Sequence, residues 1–190
     1  MKYLIIYAHP NPLSFNNAIR EHVEEALKKQ GKQCSVRDLY LLKWNPVLGG
    51  DDLSLAGVEK TPADIKTEQQ YIKEADVLIV IHPIWWFGMP AVLKGYIDRV
   101  FSSGFAYEYA AEGIKGLLSG KKVMIINTTG GPKESYEKFG FKDALSKVFK
   151  DGTYGFCAME VINHEFLFAV PTISQEAREE MLAQIDKLEF

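Results

Sequence analysis

The stretch from Asp76 to Pro90, DVLIVIHPIWWFGMP, constrains this chain more than any other. Val77 to Ile81 is an unbroken apolar run rich in β-branched residues. Such a run reads as a strand buried on both faces of a parallel sheet. It stops at His82-Pro83, and Trp85, Trp86 and Phe87 follow before Gly88 and Pro90. Large aromatics at the carboxyl end of a central strand are poorly placed for an ordinary core and well placed to wall a planar, aromatic ligand. Half-buried indoles that merely cap the sheet would give the same local pattern, so the rest of the chain has to decide.

Lys2 to Ala8 reads as a first buried strand, broken by His9-Pro10-Asn11-Pro12. Ser14 or Asn16 offers a helix N-cap, and Ala18, Ile19, Val23, Ala26 and Leu27 repeat at helical spacing until Gly31. Gln33 to Leu39 reads as a second strand, and Leu41 to Pro62 as a long polar loop of the kind that is usually functional or intermolecular. Asp64 to Glu74 is a short helix leading into the central strand. After Pro90, Val92, Leu93, Tyr96, Ile97, Val100 and Phe101 mark an amphipathic helix that ends before Gly104. Phe105 to Gly120 is a turn-rich excursion, Val123 to Asn127 another strand, and Phe141 to Lys150 a helix. Phe156 to Phe168 holds a fifth strand, and Ser174 caps a last helix through about Leu188.

Strand and helix alternate throughout, and right-handed crossovers between parallel neighbours put the helices on both faces. The expected fold is α/β, a doubly wound five-stranded parallel sheet of order 2-1-3-4-5 with ligands at its carboxyl edge. No linker or repeat divides the chain, so residues 1–190 form one domain. A formal net charge of −3 implies no basic face and hence no nucleic-acid partner. Cys34 and Cys157 are too few for a disulfide scaffold or a zinc site and read as buried structural thiols; no metal is expected. The N-terminus opens directly with strand-like residues and no apolar run reaches membrane-spanning length, so no signal peptide or membrane insertion is expected and the location is cytoplasmic.

Three loops should meet at the carboxyl edge: His9 to Asn17, Pro83 to Gly88 and Thr128 to Tyr136. The first opens a helix whose free N–H groups and dipole favour a phosphate, with Ser14, Asn16 and His9 in reach. The third, Thr128-Thr129-Gly130-Gly131, lets backbone approach a ring edge closely because glycine has no Cβ. Each loop alone is explained by a cap, a packed indole or a turn. Together they describe a site for a phosphorylated planar cofactor, which a flavin fits. Neither a Walker pattern nor a Gly-x-Gly-x-x-Gly motif is present.

Four stretches carry a resemblance to a known family. They are His9 with Ser14-Phe15-Asn16; Asp38-Leu39-Tyr40 with Asn45-Pro46; Pro83-Ile84-Trp85-Trp86-Phe87 with Pro90 to Gly95 and Asp98 to Phe101; and Phe105 to Tyr109 with Thr128 to Gly131. Over nearly the whole chain the sequence resembles the NAD(P)H:quinone oxidoreductases of the flavodoxin-like fold, the DT-diaphorase relatives. The resemblance implies a tightly bound flavin, NADH or NADPH as electron donor, a quinone-like acceptor, and a homodimer with active sites at the subunit interface. It places His9, Ser14, Phe15 and Asn16 on the flavin phosphate side. Pro83, Ile84, Trp85, Trp86, Phe87, Thr128, Thr129, Gly130 and Gly131 fall against the ring system.

The resemblance also assigns Trp86, Phe87, Tyr107, Tyr109 and Phe156 to the substrate pocket, and Tyr136 to the charge on the reduced flavin. Two departures stand out: Trp85 occupies a position that is often glutamine, and Lys142 stands where some relatives have a histidine. The chain lacks the C-terminal extension that covers the adenosine half of FAD in longer relatives, which leaves FMN and FAD both open. The expected activity is two-electron transfer from NAD(P)H through flavin to quinones. The alternatives are a flavin-binding regulatory subunit of a potassium-efflux transporter, an azo- or nitroreductase, and an electron-carrier flavodoxin.

Overall fold

The apolar run that opens the key stretch becomes the middle strand of a parallel sheet. The computed structural model describes residues 1–54 and 61–190. In chain order its elements are β1 (Lys2–Tyr7), α1 (Phe15–Lys29), β2 (Gln33–Asp38), α2 (Gly50–Ser54), α3 (Ala63–Glu74), β3 (Val77–Pro83) and α4 (Ala91–Val100). There follow β4 (Tyr107–Ala110), β5 (Gly113–Gly116), β6 (Lys122–Thr128), α5 (Lys133–Lys138), α6 (Phe141–Lys147), β7 (Glu160–Leu167) and α7 (Gln175–Ile185). The main sheet runs β2-β1-β3-β6-β7, all parallel, and β4 and β5 form a separate antiparallel hairpin. With the hairpin set aside, this is the expected order.

Strand alternation sorts the core into two layers. Tyr3, Ile5 and Tyr7 of β1 pack with Ile19, Val23 and Leu27 of α1 and Ile185 of α7. Leu4 and Ile6 point the other way, to Ile65 and Ile72 of α3 and Leu93, Tyr96 and Val100 of α4. Every residue of β3 is buried, as a central strand covered on both faces requires. Ser14, not Asn16, caps α1, its Oγ accepting from the Asn17 N–H at 3.2 Å.

Several expectations are corrected. β3 does not stop at His82: it runs through Pro83, with His82 paired to Asn127 and Pro83 to Thr128. Proline is tolerated there because the next donor, Ile84 N–H, carries the bonding on to Thr128 O at 2.8 Å. The excursion after Phe105 contains the β4–β5 hairpin, and α5 is a helix the sequence pattern did not reveal. The helix expected through Lys150 ends at Lys147 and continues as a π-helical turn, Val148–Tyr154, which buries Phe149 and Tyr154. Cys34 is half-buried rather than buried, because β2 is an edge strand, whereas Cys157 is buried. Burial pushes both thiols up to about 11, so neither is a ready nucleophile at neutral pH.

Part of the long polar segment is ordered by one cation. Arg99 of α4, itself buried, donates to Asp52 at 2.8 Å, to Asp64 at 2.7 Å and to the Asn45 carbonyl at 3.0 Å. Its guanidinium lies 4.9 Å from the Trp44 ring, and it holds the Asp52 carboxyl below the usual carboxylate range. Residues 55–60, on which the expectation of a long functional or intermolecular loop also rests, lie outside the described residues. No helix among the described residues is long and apolar enough to cross a membrane.

Candidate functional site

Three loops leave the carboxyl edge of the sheet, and hydrogen bonds just past the strand ends fix where each one starts. Ala8 N–H donates to Ile81 O at 3.1 Å, Ile84 N–H to Thr128 O at 2.8 Å, and Thr129 N–H to Leu167 O at 2.9 Å. Between the loops lies an open cleft of about 530 Å³ lined by His9, Asn16, Pro83, Ile84, Trp85, Trp86, Thr128, Thr129 and Gly130. All nine were candidates from the sequence. A larger groove, about 880 Å³, runs beside α1, but solvated charges such as Arg20, Glu21, Glu25 and Lys29 line it. It lacks the apolar walls and convergent polar groups of a small-molecule site.

On the α1 side, Asn16 is only 4% exposed. Its Nδ2 donates to Thr128 Oγ1 at 2.8 Å, tying the first loop to the third, while its Oδ1 is buried without a partner. An orphaned buried acceptor is costly unless a ligand satisfies it. The first turn of α1 carries no acidic residue to neutralise its positive end. His9 takes an N–H from Asn11 on Nδ1 at 3.1 Å, and its ring lies 5.7 Å from that of Trp85. Burial lowers its pKa, so near neutral pH the imidazole is uncharged, and its Nδ1 faces both the Asn11 N–H and, at 3.3 Å, the Asn11 carbonyl. Ser14 and Phe15 do not line the cleft: Ser14 caps the helix beside Tyr7, and Phe15 packs on the α1 face of the sheet.

The second loop is a tight turn. Trp85 and Gly88 exchange backbone hydrogen bonds at 3.1 and 3.0 Å, and Trp86 and Phe87 between them have φ of 50° and 55°. Two bulky residues side by side in the left-handed region cost on the order of 1–2 kcal/mol each, and strain of this kind gathers at functional sites. Phe87 is held by Phe141 at 4.2 Å and Tyr136 at 5.8 Å between ring centroids. Among the described residues no ring contact or side-chain hydrogen bond holds Trp86, and 99% of its surface is exposed. A ligand or a partner surface is what would cover it. Trp86→Ala should leave the apo melting temperature within about 2 °C of wild type. The same change should weaken ligand binding roughly tenfold, the worth of one stacking partner. Calorimetry beside a flavin titration checks both, and a large fall in the apo transition would show Trp86 to be a packing residue.

In the third loop, Thr129 Oγ1 donates to the Gly131 carbonyl at 2.8 Å and fixes the Gly130-Gly131 bend. Gly131 is needed for closeness, since a Cβ there would come 3.1 Å from Tyr136 Cε2. The Tyr136 ring is buried against Phe87, Phe141 and Phe168. Burial raises the phenol pKa, so Tyr136 is a neutral donor. Tyr107, Tyr109 and Phe156 come together elsewhere, with Tyr107 centroids 5.8 Å from Tyr109 and 5.3 Å from Phe156. Among the described residues no ring contact joins them to the Phe87–Tyr136 group.

A polar chain under the cleft escaped the sequence reading. His82 Nδ1 lies 2.9 Å from the Pro83 carbonyl, and Asn127 Nδ2 donates to His82 Nε2 at 3.0 Å and to His82 O at 3.2 Å. Asn127 Oδ1 is 2.8 Å from His164 Nε2, and His164 Nδ1 is 3.3 Å from Ser146 Oγ. The signal was present, a histidine and an asparagine ending two otherwise apolar strands, but nothing in sequence pairs residues 82, 127 and 164. The sequence also placed no histidine near Lys142. In space, His164 is close enough to feel the charge of Lys142.

The donors fit a flavin. A flavin's ribityl hydroxyls would supply the donor that Asn16 Oδ1 lacks, its phosphate would suit the end of α1, and its ring would suit the turn at Trp85–Gly88 and the glycine bend. Residues 1–188 match the family described as having the flavodoxin-like fold. An uncharacterised NAD(P)H oxidoreductase of Haemophilus influenzae is 36% identical over 183 residues, covering 96% of this chain and 91% of its own. NAD(P)H dehydrogenase [quinone] 1 of Cavia porcellus is 36% identical over 202 residues, covering 95% of this chain and 73% of its own. The crystal structure of an NAD(P)H:quinone oxidoreductase from Methanothermobacter marburgensis superposes with a TM-score of 0.86 at 28% identity, covering 98% of this chain and 94% of that one. The chain belongs to the flavodoxin-like family, among the relatives of the NAD(P)H:quinone dehydrogenases.

Proposed function

We propose that the protein is a cytoplasmic, flavin-dependent NAD(P)H:quinone oxidoreductase that works as a homodimer. The observation that carries the flavin site is the orphaned Oδ1 of buried Asn16 at the mouth of the cleft. The quinone activity rests on kinship with quinone dehydrogenases across almost the whole chain.

A flavin, FMN or FAD, would supply the two-electron redox chemistry between NAD(P)H and a quinone-like acceptor. The chain's residues do the binding, orienting and charge work. Asn16 and the end of α1 would hold the ribityl phosphate. Trp85, Trp86 and the bend at Gly130-Gly131 orient the ring, and Thr129 fixes that bend. Tyr136 donates a hydrogen bond where negative charge gathers at the ring edge, and its aromatic collar keeps water out. Tyr107, Tyr109 and Phe156 complete the acceptor pocket from the second subunit, which would also cover Trp86. Donor and acceptor share that pocket in turn, so the kinetics are ping-pong.

The transporter-regulator reading gains no support from these relatives. Azo and nitroaromatic compounds are planar acceptors that fit the same cleft and belong in the assay as secondary substrates. Asn16→Leu should lower flavin affinity about 10- to 100-fold, the scale of one lost hydrogen-bonding group in a buried site. Fluorescence titration with FMN and FAD measures it, and wild-type affinity in the variant would remove Asn16 from the site. Steady-state assays of the flavin-loaded dimer with NADH or NADPH should give parallel double-reciprocal lines with a quinone. Absence of quinone turnover in flavin-loaded protein would refute the activity.

A further inference from the structure

The chain Ser146–His164–Asn127–His82–Pro83 links α6, β7, β6 and β3 directly beneath the cleft, and its bonding has a forced direction. The Pro83 carbonyl only accepts, so His82 carries its proton on Nδ1 and takes the Asn127 N–H on Nε2. Asn127 Oδ1 must then accept from His164 Nε2–H, and His164 Nδ1 from the Ser146 hydroxyl. Every partner is used once if both histidines are neutral, and both His82 and Asn127 are 0% exposed.

We propose that His82, Asn127 and His164 are positioning residues that hold Pro83 and Thr128 of the cleft floor in one register, and that a single proton added to this chain reverses its direction and releases that register. A proton on His82 Nε2 faces the Asn127 amide donor, so the amide turns over to present Oδ1. Asn127 Nδ2 then points to His164 Nε2, and His164 moves its own proton to Nδ1 and donates to Ser146. The turned amide also sets Oδ1 against the His82 carbonyl, which loses the Asn127 side-chain bond that supplements the β3–β6 ladder immediately before Pro83 and Thr128. Groups facing the chain favour the neutral state. Phe149 packs on both imidazoles, Phe166 packs on His164, and the charge of Lys142 from α6 acts on His164. Burial holds both imidazoles at about 4, so the release belongs to acid solution.

Two measurements test this, and the first needs no cofactor, so its failure is distinct from a failure of the flavin reading. Long-range nitrogen–proton NMR of the full-length apo protein at pH 7 should show His82 protonated only on Nδ1 and His164 only on Nε2. Acidification should move both signals together with the Asn127 amide. A proton on His82 Nε2 at pH 7, or histidines that titrate with no change at Asn127, would overturn the proposal. The second is the pH profile of FMN affinity in wild type and in Asn127→Asp, an isosteric change that accepts from both histidines. The carboxylate favours the protonated chain, so the acid-side loss of affinity should move upward by at least one pH unit. Asn127→Leu, which breaks the chain, should decouple the two histidine titrations. An unshifted FMN profile in Asn127→Asp would also overturn the proposal.

Discussion

Replacing Tyr136 with Phe should leave flavin content and stability near wild type while slowing flavin reduction by NADH or NADPH by roughly one to two orders of magnitude. The ring is already fixed by three neighbours, Phe87, Phe141 and Phe168, so deleting the hydroxyl disturbs little packing. Among the described residues no hydrogen bond to that hydroxyl is seen, so its loss leaves no buried group in the chain unpaired. What is lost is a neutral donor at the ring edge. Burial keeps the phenol protonated throughout the working range. Such a donor is worth more after electrons arrive than before, which is the condition for speeding the step rather than tightening binding. Stopped-flow reduction with both donors decides it, and an unchanged rate would take Tyr136 out of the mechanism.

A second large effect should come from Gly95→Ala, well away from the ring. A Cβ built on Gly95 would lie on the Pro46 carbonyl oxygen and side chain and 2.5 Å from Pro46 Cα. Most of this obstruction is backbone, which cannot swing aside as a side-chain tip can. Alanine would gain about 1 kcal/mol of helix propensity at this position of α4. The overlap costs more, because α4 or the 44–50 segment has to move, and that segment is anchored by Arg99. A net loss of about 2–4 kcal/mol is expected, or roughly 5–15 °C in melting temperature. Because α4 begins just after the strained Trp85–Gly88 turn, the cleft should loosen too, and flavin retention should fall with stability. A variant as stable as wild type would show that the segment moves freely.

How far the sequence could be read follows from which forces act locally. Long buried strands advertise themselves as apolar runs, and β1, β3 and β6 together with turn signals were enough to set the sheet order. The three loops of the site were legible for the same reason: they begin where those runs end, at His9, Pro83 and Thr128. Missing from the sequence were features that depend on tertiary neighbours. Trp86 reads from sequence as a wall of a ligand site or a half-buried cap on the sheet, and the Trp85–Gly88 turn throws it fully into solvent. The π-helical turn and the β4–β5 hairpin lack a period strong enough to announce them. The chain from Ser146 to Pro83 joins four elements through single polar residues, and spacing along the chain carries no trace of such a pairing. Tyr107, Tyr109 and Phe156 were named as pocket residues, and within the chain they form a group of their own that does not line the cleft.

The central claim is that the cleft between His9, Trp85 and Thr129 binds a flavin, and equilibrium titration of the purified apo protein with FMN and with FAD tests it most directly. The account predicts one flavin per chain, bound at micromolar concentration or below, with indole fluorescence quenched as Trp85 and Trp86 meet the ring. Folded protein that binds neither FMN nor FAD would contradict it.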